Sequence, residues 1–213
     1  MIKSGKKIVV VDYGLGNIHS LIKAFASLGQ VVILSSDREV IENADSVVLP
    51  GVGAFAAAMK GLAKFGLVEA IKKVAAADIP LLGICVGAQM LFSEGHEFGV
   101  HPGLDIVSGK VVKFDPKECN EKIPNIGWNA ILPPKGKSWD NTIFKSIRPN
   151  DQLYFVHSYF FQPDRQDSIL SETVYGGYKF CSAVRRGNVY GCQFHPEKSG
   201  QVGRSIIDNF IKL

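Results

Sequence analysis

Two short stretches carry the side chains best suited to covalent chemistry. In Gly83-Ile84-Cys85-Val86-Gly87 a thiol sits between small residues, directly after an apolar run and before Gln89, Met90, Leu91 and Phe92, which read as a helix. This is the pattern of a strand-turn-helix elbow with cysteine in the nucleophile position. Glycines suit a crowded turn, and a helix start offers a dipole and free N–H groups that stabilise a thiolate. The Val86 N–H is then placed to donate to an oxyanion. Taken alone, the same pattern also fits a small buried thiol at a tight crossover.

A thiolate attacking an amide needs a proton shuttle. Of the five histidines, His195 stands out because Gln193-Phe194-His195-Pro196-Glu197 follows an apolar run. In extended chain, residues i and i+2 share a face, so Glu197 can lie beside the His195 imidazole and fix its tautomer while the other nitrogen meets the thiol. A strand-end histidine with a surface glutamate is the bland alternative, and the elbow elsewhere in the chain tips the balance toward a Cys-His-Glu triad. Leu49-Pro50-Gly51-Val52-Gly53 also follows an apolar run; its N–H groups are candidates to complete an oxyanion hole beside Val86, although a glycine-rich turn needs no such role.

Asp12-Tyr13-Gly14-Leu15-Gly16-Asn17, with Asp37 some way on, invites a dinucleotide reading, but the third glycine of that fingerprint falls at His19. Cys119, Cys181 and Cys192 have no adjacent base and no C-x-x-C spacing, so packing accounts for them. No histidine spacing suits a metal, and neither a metal nor an organic cofactor is expected.

These segments need elements to hold them. Ile8 to Val11, Val31 to Leu34, Ser46 to Leu49 and Leu81 to Ile84 read as strands buried on both faces. Between the first two, Ile18, Leu21, Ile22, Phe25 and Leu28 form a helical stripe closed by Gly29, which makes a β-α-β unit with parallel strands. Asp37 to Glu42, Ala54 to Phe65 and Val68 to Ala76 read as helices. After Gly109 short aromatic and β-branched runs alternate with Pro, Gly and Asn clusters, the marks of antiparallel strands. Arg185 to Asn188 reads as a turn, and Val202 to Leu213 as a closing helix. The expected fold is α/β: an open, mainly parallel twisted sheet flanked by helices, with an appended antiparallel portion, in a single domain spanning 1–213.

The 213 residues are 46% hydrophobic and 21% charged, and 24 Lys and Arg against 20 Asp and Glu leave a net charge of +4. A chain this long can bury about 70% of its surface in one core. Without a basic run it lacks a polyanion track, so nucleic acid is not an expected partner. Met1 to Val11 puts basic residues before a run of only four apolar ones, Ile8 to Val11, which Asp12 closes, too short for a secretory leader. Leu81 to Phe92 is broken by Gly83, Gly87 and Gln89 and cannot span a bilayer. A cytosolic protein with no membrane partner is expected.

The two stretches together resemble the class I (triad) glutamine amidotransferases, whose sheet is flavodoxin-like. Asp12 to Asn17, Leu49 to Phe55, Gly127-Trp128-Asn129, Tyr154 to Tyr159 and His195 to Gly200 resemble, within that family, glutaminase subunits serving histidine biosynthesis. The resemblance implies that Cys85 attacks glutamine, His195 moves the proton and Glu197 orients it. It implies that Gln89, Glu97 and Ser158 hold the amino-acid end of glutamine, and that Val52 or Gly53 donates to the oxyanion together with Val86. It implies a heterodimer in which ammonia passes to a (β/α)8-barrel synthase subunit, with Asn17, Tyr154 and His157 facing that partner and the Pro50 to Gly53 segment switching when the partner is loaded. Similar subunits feed sugar-amidating synthases of surface polysaccharide, which is the alternative partner. A catalytically silent binding module and a peptidase or γ-glutamyl hydrolase are the competing classes.

Overall fold

The computed structural model describes residues 6–213, so the first five residues of the leader reading over Met1 to Val11 lie outside the described residues. β1 (Ile8–Val11) is four wholly buried aliphatic residues. α1 (Ile18–Ala26) lays Leu21 and Phe25 into the core, and β2 (Val32–Ser35) returns parallel to β1. α2 (Arg38–Glu42) begins at Asp37, whose carboxylate accepts the Glu39 and Val40 N–H groups, as a capping side chain does. β3 (Ser46–Leu49) lies on the other side of β1. α3 (Phe55–Lys64) and α4 (Val68–Ala76) then lead to β4 (Leu81–Ile84), parallel to β3.

α5 (Val86–Gln89) is a single turn. The helix read through Phe92 stops there because Phe92 enters β5 (Phe92–Gly95), where it stacks on Phe161. β6 (His101–Pro102), β7 (Val107–Lys113), β8 (Asn125–Ala130), β9 (Gln152–His157), β10 (Tyr159–Pro163), β11 (Ile169–Tyr175), β12 (Tyr178–Arg186), β13 (Val189–Cys192) and α6 (Gly200–Ile211) complete the chain. Gly176 and Gly177, both at positive φ, turn β11 into β12, as a tight hairpin requires. Gly187, at φ +57°, does the same between β12 and β13.

Among the described residues eleven strands form one sheet, ordered β2-β1-β3-β4-β13-β12-β10-β7-β5-β6 with β11 on β12. Most of the antiparallel portion thus extends the parallel sheet, while β8 and β9 pair as a small antiparallel sheet of their own. β2 departs from its reading as a strand buried on both faces: it is the sheet edge, with Ile33 and Leu34 each 42% exposed. A short apolar run has no signature that separates edge from centre.

The consequence for function lies in three neighbours. β3, β4 and β13 are adjacent and parallel, with Ile84 beside Cys192. Their carboxyl ends therefore bring Pro50–Gly53, Cys85 and the segment leading to His195 to one edge, where open α/β sheets bind ligands. Among the described residues no helix is long and apolar enough to cross a membrane.

Candidate active site

The chain reverses at Cys85, whose backbone sits at φ 54°, ψ −114°. A residue other than glycine held there is strained by roughly 1–3 kcal/mol and must be over-determined by its neighbours. Its N–H donates to the Cys192 carbonyl at 2.8 Å, and its carbonyl accepts from Ala88 and Gln89 at 3.0 Å each. The flanking glycines are required by close approach: a Cβ on Gly83 would lie 2.7 Å from Ala88 Cα, and one on Gly87 would collide with the Leu49 carbonyl. The elbow is thus clamped between β3 and β13. Val86, as first residue of the turn, keeps an N–H that no intrahelical carbonyl can accept.

Cys85 and His195 line a cavity of about 300 Å³, at the small end of ligand pockets. Glu197 reaches His195 by a different route from strand alternation. After His195 the chain closes a short 3-10 turn, Pro196–Lys198, which brings Glu197 Oε1 to 2.8 Å from His195 Nδ1, both side chains at most 3% exposed. The Ser199 hydroxyl locks this turn by donating to the His195 carbonyl at 2.6 Å and accepting the Tyr154 N–H at 2.9 Å. His195 Nε2 and Glu197 Oε2 have no hydrogen-bond partner among the described residues. Burial opposes the imidazolium, but the Cys85 sulfur and the Glu197 carboxylate outweigh it, and His195 is pushed up to about 10. A histidine held protonated beside a cysteine sulfur is the arrangement that activates a cysteine nucleophile.

Val52, Gly53, Gln89, Glu97, Ser158 and His157 line the same cavity. Tyr13 holds the Pro50–Gly53 segment from below, its hydroxyl donating to the Pro50 carbonyl at 2.7 Å. Gly16 lies under the Pro50 ring, where even a Cβ would be 3.2 Å from Pro50 Cβ and Cγ. The glycine-rich turn that invited a dinucleotide reading is therefore packed at Gly16 against the neighbouring Pro50 loop. Glu97 Oε2 accepts the Phe55 N–H at 2.7 Å, which ties the β5–β6 loop to the start of α3. Gln193 was read only as the first residue of the segment leading to His195, yet its Nε2 is 3.8 Å from Cys85 Sγ. The period-two spacing from His195 was the signal available for it.

Residues 9–213 match the family described as glutamine amidotransferase class-I. The chain belongs to that family. It is 47% identical over 208 residues to the imidazole glycerol phosphate synthase subunit HisH of Lactococcus lactis, covering 97% of this chain and 98% of the relative. It is 44% identical over 210 residues to the subunit HisH 1 of Legionella pneumophila, covering 97% and 99%. A solved glutamine amidotransferase structure superposes with a TM-score of 0.72 at 18% identity, over 96% of this chain and 97% of that one; this likeness speaks for the fold.

In this amidotransferase the three residues expected at a partner interface are placed differently. Asn17 and Tyr154 are half-buried and reach the surface, whereas the His157 imidazole is turned inward. Its Nδ1 lies 2.8 Å from the Tyr159 carbonyl and its Nε2 3.1 Å from Asn125 Nδ2. Nδ1 therefore carries the proton, donating to that carbonyl, and Nε2 accepts from the amide. Burial pushes His157 down to about 4, helped by the nearby His195 charge and opposed by the Tyr159 carbonyl. An unfolded histidine takes its proton near pH 6.5 and the folded one refuses it until about 4, so stability falls as pH drops through that window. Replacing His157 with glutamine, which can keep both bonds, is expected to remove about 2–3 kcal/mol of the loss between pH 7 and pH 4.5. Urea unfolding at the two pH values checks it; an equal acid loss in the variant contradicts the assignment.

Proposed function

We propose that this amidotransferase is the glutaminase subunit of imidazole glycerol phosphate synthase, hydrolysing glutamine and passing the ammonia to a (β/α)8-barrel synthase subunit in histidine biosynthesis. The observation that carries this reading is the 47% identity, over nearly the full length of both chains, to a relative named as that subunit. The sugar-amidating alternative is not favoured by those relatives. The whole chain acts as one catalytic unit, since segments from Val52 to His195, drawn from both sheets, line one cavity, and it works in the cytosol.

Cys85 Sγ adds to the side-chain amide carbon of glutamine, and the oxyanion is met by Val86 N–H with Val52 or Gly53. The C–N bond breaks as His195 Nε2 gives its proton to the departing ammonia, leaving a glutamyl thioester. His195 then takes a proton from water, whose oxygen adds to the thioester carbon; glutamate leaves and the thiolate returns. Glu197 holds Nδ1 and stabilises the imidazolium throughout. Glu97, Gln89 and Ser158 hold the amino-acid end of the substrate.

The partner surface is supported by the outer face of β8–β9. Ile126 is paired with Val156 and Trp128 with Tyr154, and Ile126, Trp128 and Val156 are exposed. An apolar patch of this kind marks an interaction site. Val156 also lines the cavity, so a subunit seated there would cover the mouth and keep ammonia from water. The test is ammonia release from glutamine by the chain alone and with a barrel synthase carrying its nucleotide ligand. A rise of about 5- to 150-fold is expected in the loaded complex, the range of ordinary site-to-site coupling. Equal rates in both states would remove this partner from the account.

A further inference from the structure

We propose that Gln193 belongs to the nucleophile's machinery: it donates an N–H to the Cys85 sulfur and stabilises its thiolate form, with Gln89 fixing the direction of the Gln193 amide. This rests on the reading of Cys85 as the nucleophile and adds a residue to that reading.

The geometry is specific. Gln193 is wholly buried, and its Nε2 is 3.8 Å from Cys85 Sγ, a hydrogen-bond distance for an atom as large as sulfur. Its Oε1 accepts from Gln89 Nε2 at 3.0 Å, and that same nitrogen lies 3.3 Å from the Tyr159 carbonyl. Turned the other way, the Gln193 amide would set N–H against N–H at Gln89 and point a carbonyl oxygen at the sulfur. The Tyr159 carbonyl, which can only accept, fixes Gln89; Gln89 fixes Gln193; and a donor is left facing the thiol. A buried amide is a costly way to fill space that an apolar side chain of the same length would fill without desolvation. Its backbone is held as firmly, the Gln193 N–H donating to the Ser182 carbonyl at 2.9 Å. One strand end therefore presents a donor at Gln193 and a proton shuttle at His195 to one sulfur.

Other titratable groups also face this sulfur or its cavity. The Tyr13 hydroxyl comes from the loop after β1, His195 with Glu197 from the end of β13, Glu97 from the β5–β6 loop and His157 from the end of β9. Gln193 carries no charge, so its removal changes hydrogen bonding without changing the site's charge.

The test is the rate of Cys85 alkylation by iodoacetamide against pH, read by peptide mass spectrometry, in the full chain and in Gln193→Met and Gln89→Met. For Gln193→Met the pH of half-maximal alkylation is expected to rise by about one unit, a tenfold effect typical of a hydrogen bond to a charged group. Gln89→Met is expected to move it in the same direction by less, because the donor remains but is no longer aimed. A purely structural role would change the thermal midpoint and leave the pH profile in place. An unmoved profile in folded Gln193→Met overturns the proposal; should that variant fail to fold, an unmoved profile in Gln89→Met does so. Wild-type Cys85 that resists alkylation at every pH would overturn both this proposal and the glutaminase reading, whereas a reactive wild type with unmoved variants overturns this proposal alone.

Discussion

Replacing Cys85 with serine is expected to lower glutamine-dependent ammonia release on the order of 10³-fold or more, the scale on which enzymes lose their nucleophile. The substitution exchanges one small atom at a site that is only 5% exposed and leaves the elbow's backbone bonds to Cys192, Ala88 and Gln89 in place. The thermal midpoint is therefore expected to stay within a few degrees of wild type, which separates lost chemistry from lost fold. The assay is ammonia release together with a thermal melt on the same preparation. A folded Cys85→Ser chain that keeps a tenth of the wild-type rate would require another nucleophile.

Glu197→Gln is the second large effect. The carboxylate is buried, bonded to His195 Nδ1 at 2.8 Å, and is one of the two groups that push the imidazole up to about 10 against the pull of burial. The amide keeps the shape and removes the charge. The imidazolium then loses its support and the tautomer its fixed direction, and a loss of roughly 10²- to 10⁴-fold in kcat is expected, as for an orienting carboxylate replaced by its amide. The same change acts on stability. A histidine raised on folding contributes stability that is fully present below pH 6.5 and lost as pH rises through about 10. In Glu197→Gln that alkaline limb moves to lower pH, and urea unfolding between pH 7 and pH 10 reads it. A variant with wild-type kcat and an unmoved limb would leave Glu197 as a spectator.

The parts of this protein that were readable in its sequence are those fixed by neighbours along the chain. Val68–Ala76 has the predicted bounds because its apolar stripe, Ala70, Ile71 and Val74, faces one core. The turn at Gly187 is written in the residue itself. Cys85 between its glycines and His195 before Pro196-Glu197 are local patterns, so the elbow and the short His195–Glu197 contact were both anticipated, although a 3-10 turn makes the latter. What the sequence hid depends on distant partners. The edge position of β2 is decided by what fails to pair with it, and the early end of α5 by the place Phe92 finds beside Phe161. The bond from Phe55 to Glu97 and the relay from Tyr159 through Gln89 to Gln193 join residues 42 and 70 or more positions apart. No periodicity encodes such contacts. His157 shows the same limit: the resemblance implied a partner-facing side chain, and Asn125 across the sheet, together with the Tyr159 carbonyl, holds its imidazole inward.

The most direct measurement of the central claim is covalent capture with a glutamine-analogue electrophile, followed by peptide mass spectrometry, with and without excess glutamine. Burial pushes the thiols of Cys181 and Cys192 up, and Cys119 is buried as well, so only Cys85 combines a paired imidazolium with an open cavity. The expected result is a single adduct on Cys85 that excess glutamine suppresses. An adduct on another cysteine, or labelling of Cys85 that glutamine leaves untouched, would contradict the claim that this cavity binds and opens the glutamine amide.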